Sequence, residues 1–404
     1  MAAKTHRTAA HPTAVHPAVL STRALNRATL DRQLLLRRSA MSAKDAVAHL
    51  LGLQAQNTKP PYFQLYARLA DFDPAELSAL MESREVVRIV TLRSTLHTHT
   101  ADDALILRPL VQAARERELK NFRRGLEGVD LDRLAAVAEE LVVERPRPVK
   151  ELREELLARW PDADPLALTV AARCLLPLVQ VTPRGLWGRG GQVALTTVEH
   201  WLGRPAEPVP APDATVLRYL GAFGPASVMD FQSWAGLTRT KEVFERLRPR
   251  LLTFRDERGV ELFDLPDAPR PGPDTPAPPR FLPEFDNLLL GHADRSRVIP
   301  AVNKGRNGVG NQSYGSVLID GFFDAVWRVE REGDTAILTV QPLRSLVRDE
   351  RAEITEEAAR MLTAMTDATD HDVRFGTFLD YGVQGLSSGS GRARGVRPGP
   401  DEKP

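Results

Sequence analysis

The sequence predicts an α+β protein of several domains: three tandem winged-helix (helix-turn-helix) modules followed by a small C-terminal β-barrel. The chain has 404 residues and is 42% hydrophobic, which is enough for more than one buried core. Its first two thirds repeat a pattern of helices followed by a short hairpin. After a proline-rich stretch, the last third alternates β-branched runs with glycines, and this pattern favours a barrel of short strands.

The first module is predicted over residues 20–124. Ser42 and Asp45 form a capping pattern, and the helix that they begin is expected to run to Leu53. The β-branched residues Val86, Val87, Ile89 and Val90 then predict the first strand of a hairpin. Helices followed by a hairpin are typical of a winged helix.

The second and third modules repeat this pattern over residues 131–202 and 213–266. In the third, a glycine turn at 236–238 separates two predicted helices, which is the helix-turn-helix arrangement. The proline-rich residues 268–280 predict an extended linker. The predicted strands of the barrel follow it, over residues 281–381.

Residues 1–19 and 387–404 are predicted to be disordered tails, and the arginines of the second tail could touch phosphates without specificity (Arg392, Arg394 and Arg397). The first tail lacks the apolar segment of a signal peptide, and the chain has no run of about 18 apolar residues. We therefore expect a cytoplasmic protein without membrane contact. The single cysteine, Cys174, lies in an apolar run and is expected to be buried.

Two glutamines stand where a predicted helix gives way to paired prolines, in Leu53-Gln54-Ala55-Gln56-Asn57-Thr58-Lys59-Pro60-Pro61. If the helix frays into an extended turn there, the spacing of two points both amides the same way, and together they could hold one water. The alternative is that Gln54 and Gln56 only satisfy backbone carbonyls where the helix stops. Spacing alone leaves both interpretations open.

Three stretches of the sequence, the first of which contains this motif, carry a family resemblance. They are Leu50-Leu51-Gly52-Leu53-Gln54-Ala55-Gln56, Arg93-Ser94-Thr95-Leu96-His97, and Phe281-Leu282-Pro283-Glu284-Phe285-Asp286 running to Asp294-Arg295-Ser296-Arg297. The chain resembles the AlkZ/YcaQ family of winged-helix DNA glycosylases from about Leu20 to about Phe378. The YcaQ branch has an aspartate at the second polar position of the motif, and this sequence has Gln56 there, as in the AlkZ branch.

The resemblance implies a monofunctional DNA glycosylase without cofactor, in which Gln54 and Gln56 position the water that attacks the sugar. A purine alkylated at a ring nitrogen such as guanine N7 is cationic, so it leaves as a neutral base without a proton from the enzyme. The sequence lacks paired-carboxylate, nucleophile-elbow and zinc-protease motifs, and an activated substrate of this kind suits it. Bulky adducts and interstrand crosslinks fit the same chemistry, and both general repair and self-resistance to a DNA-alkylating metabolite stay open.

Predicted DNA contacts follow from charge and from the resemblance. The formal net charge of +1 requires a local basic surface, and its expected contributors are Lys59, Arg93, His97, Lys304 and Arg306. Lys304 and Arg306 belong to the glycine-rich stretch 303–312, which has no P-loop pattern. A hairpin that probes a DNA groove and an ordinary solvated loop both agree with its composition.

A metal site is not expected. His97 and His99 would share one face of a strand, and Asp102 or Asp103 could join them. A third well-spaced ligand is missing, however, and histidines on strands are usually structural. We interpret the strand pair as one wall of the cleft that holds the glutamines.

The alternative function is a non-enzymatic winged-helix DNA-binding protein, either a transcriptional regulator or an architectural protein. Three modules and a barrel in one asymmetric chain count against it, because regulators usually pair short subunits on symmetric half-sites. A ligand-sensing protein is a third alternative. For the glycosylase, the expected partner is double-stranded DNA that carries alkylated purines, and we expect a monomer because no coiled-coil pattern is present.

Overall fold

A computed structural model describes residues 17–208, 210–309 and 312–381. The predicted tails lie almost entirely outside these residues. The helices are α1 (Thr22–Arg32), α2 (Ala43–His49), α3 (Pro60–Arg68), α4 (Pro74–Glu82), α5 (Ala101–Leu110), α6 (Gln112–Leu119), α7 (Leu131–Glu144), α8 (Val149–Arg159), α9 (Pro165–Leu175), α10 (Val198–Leu202), α11 (Pro212–Phe223), α12 (Val228–Ala235), α13 (Lys241–Leu247), α14 (Asn287–Leu290) and α15 (Arg348–Met365).

The strands are β1 (Val19–Leu20), β2 (Leu53–Gln54), β3 (Val86–Val90), β4 (Leu96–Thr100), β5 (Arg147–Pro148), β6 (Leu178–Gln180), β7 (Ala194–Thr197), β8 (Leu252–Asp256), β9 (Glu261–Asp264), β10 (Arg280–Leu282), β11 (Gly308–Val309), β12 (Gln312–Ser313), β13 (Gly315–Ile319), β14 (Phe322–Glu332), β15 (Thr335–Pro342) and β16 (Asp370–Phe375). Short 3-10 helices cover Leu92–Ser94, Lys120–Leu126, Arg248–Arg250 and Ala301–Asn303.

Helix α2 begins where the capping pattern predicts, because the Ser42 hydroxyl accepts the backbone N–H of Asp45 at 3.1 Å. Its predicted end at Leu53 is wrong. The helix ends at His49, and the positive φ angles of Leu51 (57°) and Gly52 (94°) reverse the chain. Leu53 and Gln54 then form β2, so sheet pairing with β4 replaces the last helical turn.

One antiparallel sheet joins the strands of the first two predicted modules, in the order β2-β4-β3-β6-β7-β5. The junction is the pairing of β3 with β6, where Ile89 lies opposite Val179. Both side chains are fully buried. The hairpins of residues 20–124 and 131–202 therefore share their hydrogen bonds instead of forming two separate wings.

The third unit has the predicted order of elements, with α11, α12 and α13 followed by the hairpin β8–β9. Gly236, with φ 73°, ends α12 in the left-handed conformation that glycine adopts without a Cβ penalty. Aromatic side chains fill the core of this unit (Tyr219, Phe223, Phe231, Trp234, Phe244 and Phe263). Its assignment as a winged helix, like that of the other two units, stays a prediction.

The C-terminal β-barrel is a wrong prediction. The strands of residues 281–381 form an open five-stranded sheet in the order β10-β13-β14-β15-β16, and β10 and β16 are its two edges. Strand β16 runs parallel to β15, so the chain must cross over between them, and α15 makes this crossover. Ile354 and Met361 of α15 pack into the buried cluster that lines the sheet, so the helix covers the sheet face that a barrel would enclose.

The C-terminal sheet packs directly on the first helical unit. Leu65 and Tyr66 of α3 lie in the same buried cluster as Phe281 of β10 and Met361 of α15. The proline-rich stretch also lies along the first unit, since the Arg27 Nε donates to the Thr275 carbonyl at 2.6 Å. No helix within the described residues is long and apolar enough to cross a membrane.

Candidate active site around the glutamine motif

The turn between α2 and β2 brings the glutamine motif against strand β4. Gln54 lies opposite His97 in this pairing, and Leu53 lies opposite Thr98. A Cβ atom at Gly52 would lie 2.2 Å from the Nδ1 atom of His99, so only glycine allows the chain to pass this close to the histidine. The glutamines are thus held on a sheet edge and not on a helix end.

Three side chains from other elements of the fold hold the backbone of the motif. The Asn287 Oδ1 accepts the N–H of Gln54 at 3.4 Å, and the Gln64 Nε2 donates to the Gln54 carbonyl at 2.9 Å. The Arg88 Nη2 donates to the carbonyl of Ala55 at 2.9 Å. Sequence reasoning missed these three residues. Asn287 directly follows Phe285 and Asp286, which carry part of the family resemblance, but spacing gives no indication that Asn287 reaches the glutamine motif.

The two glutamine side chains differ in exposure but are anchored in the same way. Gln54 is only 5% exposed, and its Oε1 accepts from the Arg93 Nη2 at 3.0 Å. Gln56 is exposed, and its Oε1 accepts the backbone N–H of Leu96 at 3.0 Å. A guanidinium and a backbone N–H can only donate, so both amide oxygens must face these partners. Neither Nε2 group has a protein partner in the described part of the chain.

Arg93 and His97 adjoin Gln54. The Arg93 Nη1 donates to the Trp234 carbonyl at 2.6 Å, and its Nη2 lies 3.4 Å from the His97 Nε2. The His97 Nδ1 donates to the Thr95 carbonyl at 2.9 Å, which leaves Nε2 as the acceptor of a neutral ring. Burial, and then the charge of Arg93, hold the pKa of His97 well below its usual range. Burial also lowers the pKa of Arg93 to about 10, and Arg295 adds to this shift.

The paired histidines are part of the core. The His97 and His99 rings stack with their centroids 5.5 Å apart, and the His99 Nε2 bonds the Thr91 hydroxyl at 2.7 Å. Burial lowers the pKa of His99 to about 4. The carboxylate of Asp103 is occupied by Arg218. Within the described residues, no group of three His, Cys, Asp or Glu side chains is arranged to hold a metal ion.

The structure links four of the predicted site residues to one another. Gln54, Gln56, Arg93 and His97 are linked to one another through β2 and β4. The guanidinium of Arg93, which is expected from the sequence to contact DNA, donates to protein acceptors.

The other three predicted contacts lie on exposed segments. Lys59, at the start of α3, is exposed and lines a cleft of about 740 Å³ together with the aromatic residues Phe63, Trp187 and Trp327. Lys304 is exposed, and Arg306 lies over the ring of Tyr381 at 5.3 Å. Both precede the hairpin β11–β12, whose tip at residues 310–311 lies outside the described residues.

Comparisons with known proteins report on the fold and on the family of the chain. The solved structure of Streptomyces sahachiroi DNA glycosylase AlkZ has a similar fold, with a TM-score of 0.74 at 20% identity, over 89% of this chain and 100% of that one. A curated relative from the same organism, named "Interstrand DNA cross-link repair glycosylase", is 25% identical over 308 residues, which are 67% of this chain and 76% of the relative. The model of the AlkZ-like DNA glycosylases matches residues 47–364. The resemblance found in the sequence is thereby confirmed, and the chain belongs to the AlkZ-like family of DNA glycosylases.

Proposed function

We propose that this protein hydrolyses the N-glycosidic bond of cationic alkylated purines of the N7-alkylguanine type in double-stranded DNA. The observation that carries the proposal is the pair of glutamine amides whose oxygens are anchored by Arg93 and Leu96. A neutral amide is a poor base and cannot act as a strong general acid. Such a site suits a substrate whose leaving group is already activated, and a positively charged purine meets that condition.

In the proposed mechanism, Gln54 and Gln56 hold one water against the anomeric carbon of the sugar. Each Oε1 keeps a second lone pair that can accept a proton of the water, and each Nε2 offers donors. The base departs as a neutral molecule while the sugar acquires oxocarbenium character, as in glycoside hydrolysis. The water then adds to the anomeric carbon and loses its proton to solvent, which leaves an abasic site.

Bulky adducts and interstrand crosslinks are proposed substrates too. A lesion that is recognised by its charge does not have to enter a closed base pocket. The name of the Streptomyces relative, which refers to crosslink repair, supports this proposal. Undamaged purines should be refused because their neutral bases leave poorly without an acid.

We propose that DNA is held by a local basic surface to which Lys59, Lys304 and Arg306 contribute, and that the protein acts as a monomer. Lys59 and Lys304 are exposed, as phosphate contacts must be. The winged-helix character of the three helical units belongs to this proposal. Family membership does not favour the alternative of a DNA-binding protein without chemistry.

The test is single-turnover excision from a duplex that carries one N7-methylguanine. Gln54→Ala, Gln56→Ala and the double variant should all lose at least about 100-fold in rate while lesion-DNA affinity is nearly unchanged, because residues that act as one unit give non-additive losses. If the glutamines had a purely structural role, their replacement would instead cost about 0.5–1.5 kcal/mol of stability per lost hydrogen bond. The excision rate per folded molecule would then not change.

Glu284 supplies the matched control. Its carboxylate accepts from the Nδ2 of Asn57 at 2.9 Å, and Asn57 directly follows Gln56 in the chain. If a carboxylate were the base, Glu284→Gln would abolish excision. We expect this variant to stay within about threefold of the wild-type rate, since catalysis is assigned to the amides. A near wild-type rate for the folded Gln54/Gln56 double variant would refute the proposed mechanism.

A further inference from the structure

The backbone of Arg93 adopts an unusual conformation next to the third helical unit. Its φ of 54° and ψ of 21° lie in the left-handed region, which is unfavourable for a residue other than glycine. Gly236, at the end of α12, packs so closely that a Cβ there would lie 3.0 Å from the Arg93 Cα. The packing between these two residues holds the arginine in a conformation that it would not adopt by itself.

The Arg93 side chain connects this contact to the glutamine motif. Its Nη1 donates to the Trp234 carbonyl of α12 at 2.6 Å, while its Nη2 donates to the Gln54 Oε1 at 3.0 Å. A guanidinium is a planar fork with fixed angles, so anchoring one nitrogen on α12 also fixes the other. No carboxylate in the described part of the chain pairs with Arg93, and its charge acts on neutral acceptors.

We propose that Arg93 is a positioning residue for Gln54 and not a phosphate contact. The guanidinium holds the amide oxygen of Gln54 and thereby turns its Nε2 group to the open side of the motif, where a water can be bound. Through the Trp234 carbonyl, the α11–α13 unit sets the orientation of a catalytic side chain on a different unit. The proposal rests on the catalytic role proposed for Gln54.

Single-turnover excision of N7-methylguanine by Arg93→Lys tests it. A lysine ammonium is a single point of donation and cannot bridge the Trp234 carbonyl and the Gln54 oxygen as a fork does. We expect the rate to fall about 10- to 100-fold, as for other residues that orient a catalytic group. Lesion-DNA affinity and its salt dependence should not change, whereas loss of a phosphate contact would lower the salt slope by about one.

Arg117→Met is the matched control. The Arg117 Nη2 donates to the Gly236 carbonyl at 2.7 Å, so it bonds the same turn without reaching Gln54. We expect this variant to excise at the wild-type rate. A reduced salt slope and weaker DNA binding in Arg93→Lys, without a slower excision step at saturating enzyme, would overturn the proposal in favour of a phosphate contact.

A double-mutant cycle separates this inference from the proposed function. If Arg93 acts through Gln54, Arg93→Lys should cause no further loss in the Gln54→Ala background. A slow Gln54→Ala together with a fully active Arg93→Lys would overturn the inference alone. A fully active Gln54→Ala would overturn the proposed function and the inference with it.

A second variant leaves Arg93 unchanged and guards against misfolding of Arg93→Lys. In Gln54→Glu, a guanidinium at hydrogen-bond distance should keep the new carboxylate ionised, so the pH profile of excision should be flat from about pH 5 to 8. A carboxylate buried there without the arginine would have a raised pKa, and the rate would change over the same range. A titration with a midpoint between pH 5 and 8 would therefore contradict the contact.

Discussion

Arg68 and Asp286 form a fully buried, doubly hydrogen-bonded ion pair, with the two Nη atoms 2.8 and 2.7 Å from the two carboxylate oxygens. The pair joins α3 to the start of α14. Asp286 also caps α14 by accepting the N–H of Leu288 at 2.9 Å, and the next residue, Asn287, bonds the backbone of Gln54. The ion pair therefore fixes the element that holds the glutamine motif.

Asp286→Asn should destabilise the protein by about 3–5 kcal/mol, because it leaves the charge of Arg68 buried without a counterion. Urea unfolding measures this free energy. The matched control is Asp213→Asn, which breaks the partly exposed pair with Arg246 and should cost less than about 1 kcal/mol. Equal losses in the two variants would show that burial of the Arg68 pair does not matter.

Gly52→Ala should destabilise the turn that carries the motif. The new Cβ would lie 2.2 Å from the His99 Nδ1, and the φ of 94° is unfavourable for alanine, so we expect a loss of about 2–4 kcal/mol and a slower excision rate. The control is Gly128→Ala, where φ is also positive, at 76°, but the space is open. That variant bears only the backbone strain. Thermal unfolding of both proteins makes the comparison, and an equally small effect at both glycines would contradict the close approach to His99.

Stability should fall as the pH drops below about 6.5. The pKa of His99 is about 4 in the folded protein and about 6.5 in the unfolded chain, so between these values only the unfolded chain binds the proton. The free energy of unfolding then decreases on acidification by about 1.4 kcal/mol per pH unit for each such histidine. His97 and His292 are shifted in the same direction by burial.

His99→Gln tests this pH dependence. The variant removes one titrating group, so its unfolding free energy should vary less steeply with pH than that of the wild type between about pH 6 and 4.5. Denaturant unfolding at several pH values provides the measurement. Parallel curves for the two proteins would mean that His99 is protonated to the same extent in both states.

The Lys304→Ala/Arg306→Ala double variant should weaken lesion-DNA binding and lower its salt slope by up to about two, because each lost phosphate contact releases about one counterion fewer. Binding titrations between about 50 and 200 mM salt measure the slope. The rate of the excision step at saturating enzyme should stay near that of the wild type for a simple N7-methylguanine. An unchanged slope would show that Lys304 and Arg306 belong to a solvated loop and do not contact phosphates.

Local patterns in the sequence correctly predicted those features that depend only on neighbouring residues. Ser42 and Asp45 define the start of α2 because a cap needs only a hydroxyl three residues from a free N–H. The glycine turn that ends α12 follows from the conformational freedom of Gly236. The motif around Gln54 and Gln56 identified the family, which the matches confirm.

Tertiary structure decided what depends on partners distant in the chain. The helix predicted to reach Leu53 ends at His49 because β4 offers a better set of hydrogen bonds to Leu53 and Gln54 than another helical turn does. The predicted barrel is an open sheet because α15 carries the chain across to a parallel strand, and no periodicity in the sequence reports strand direction.

The orientation of the candidate site was also beyond the sequence. Gln54, Arg93 and the Trp234 carbonyl come from three separate segments, and their hydrogen bonds form only when the third helical unit packs on the first. Residue types and spacing singled out Gln54 and Gln56 as a candidate pair of amides. Packing determined which atom of each amide the protein holds, because the donors from Arg93 and Leu96 are placed only by the surrounding fold.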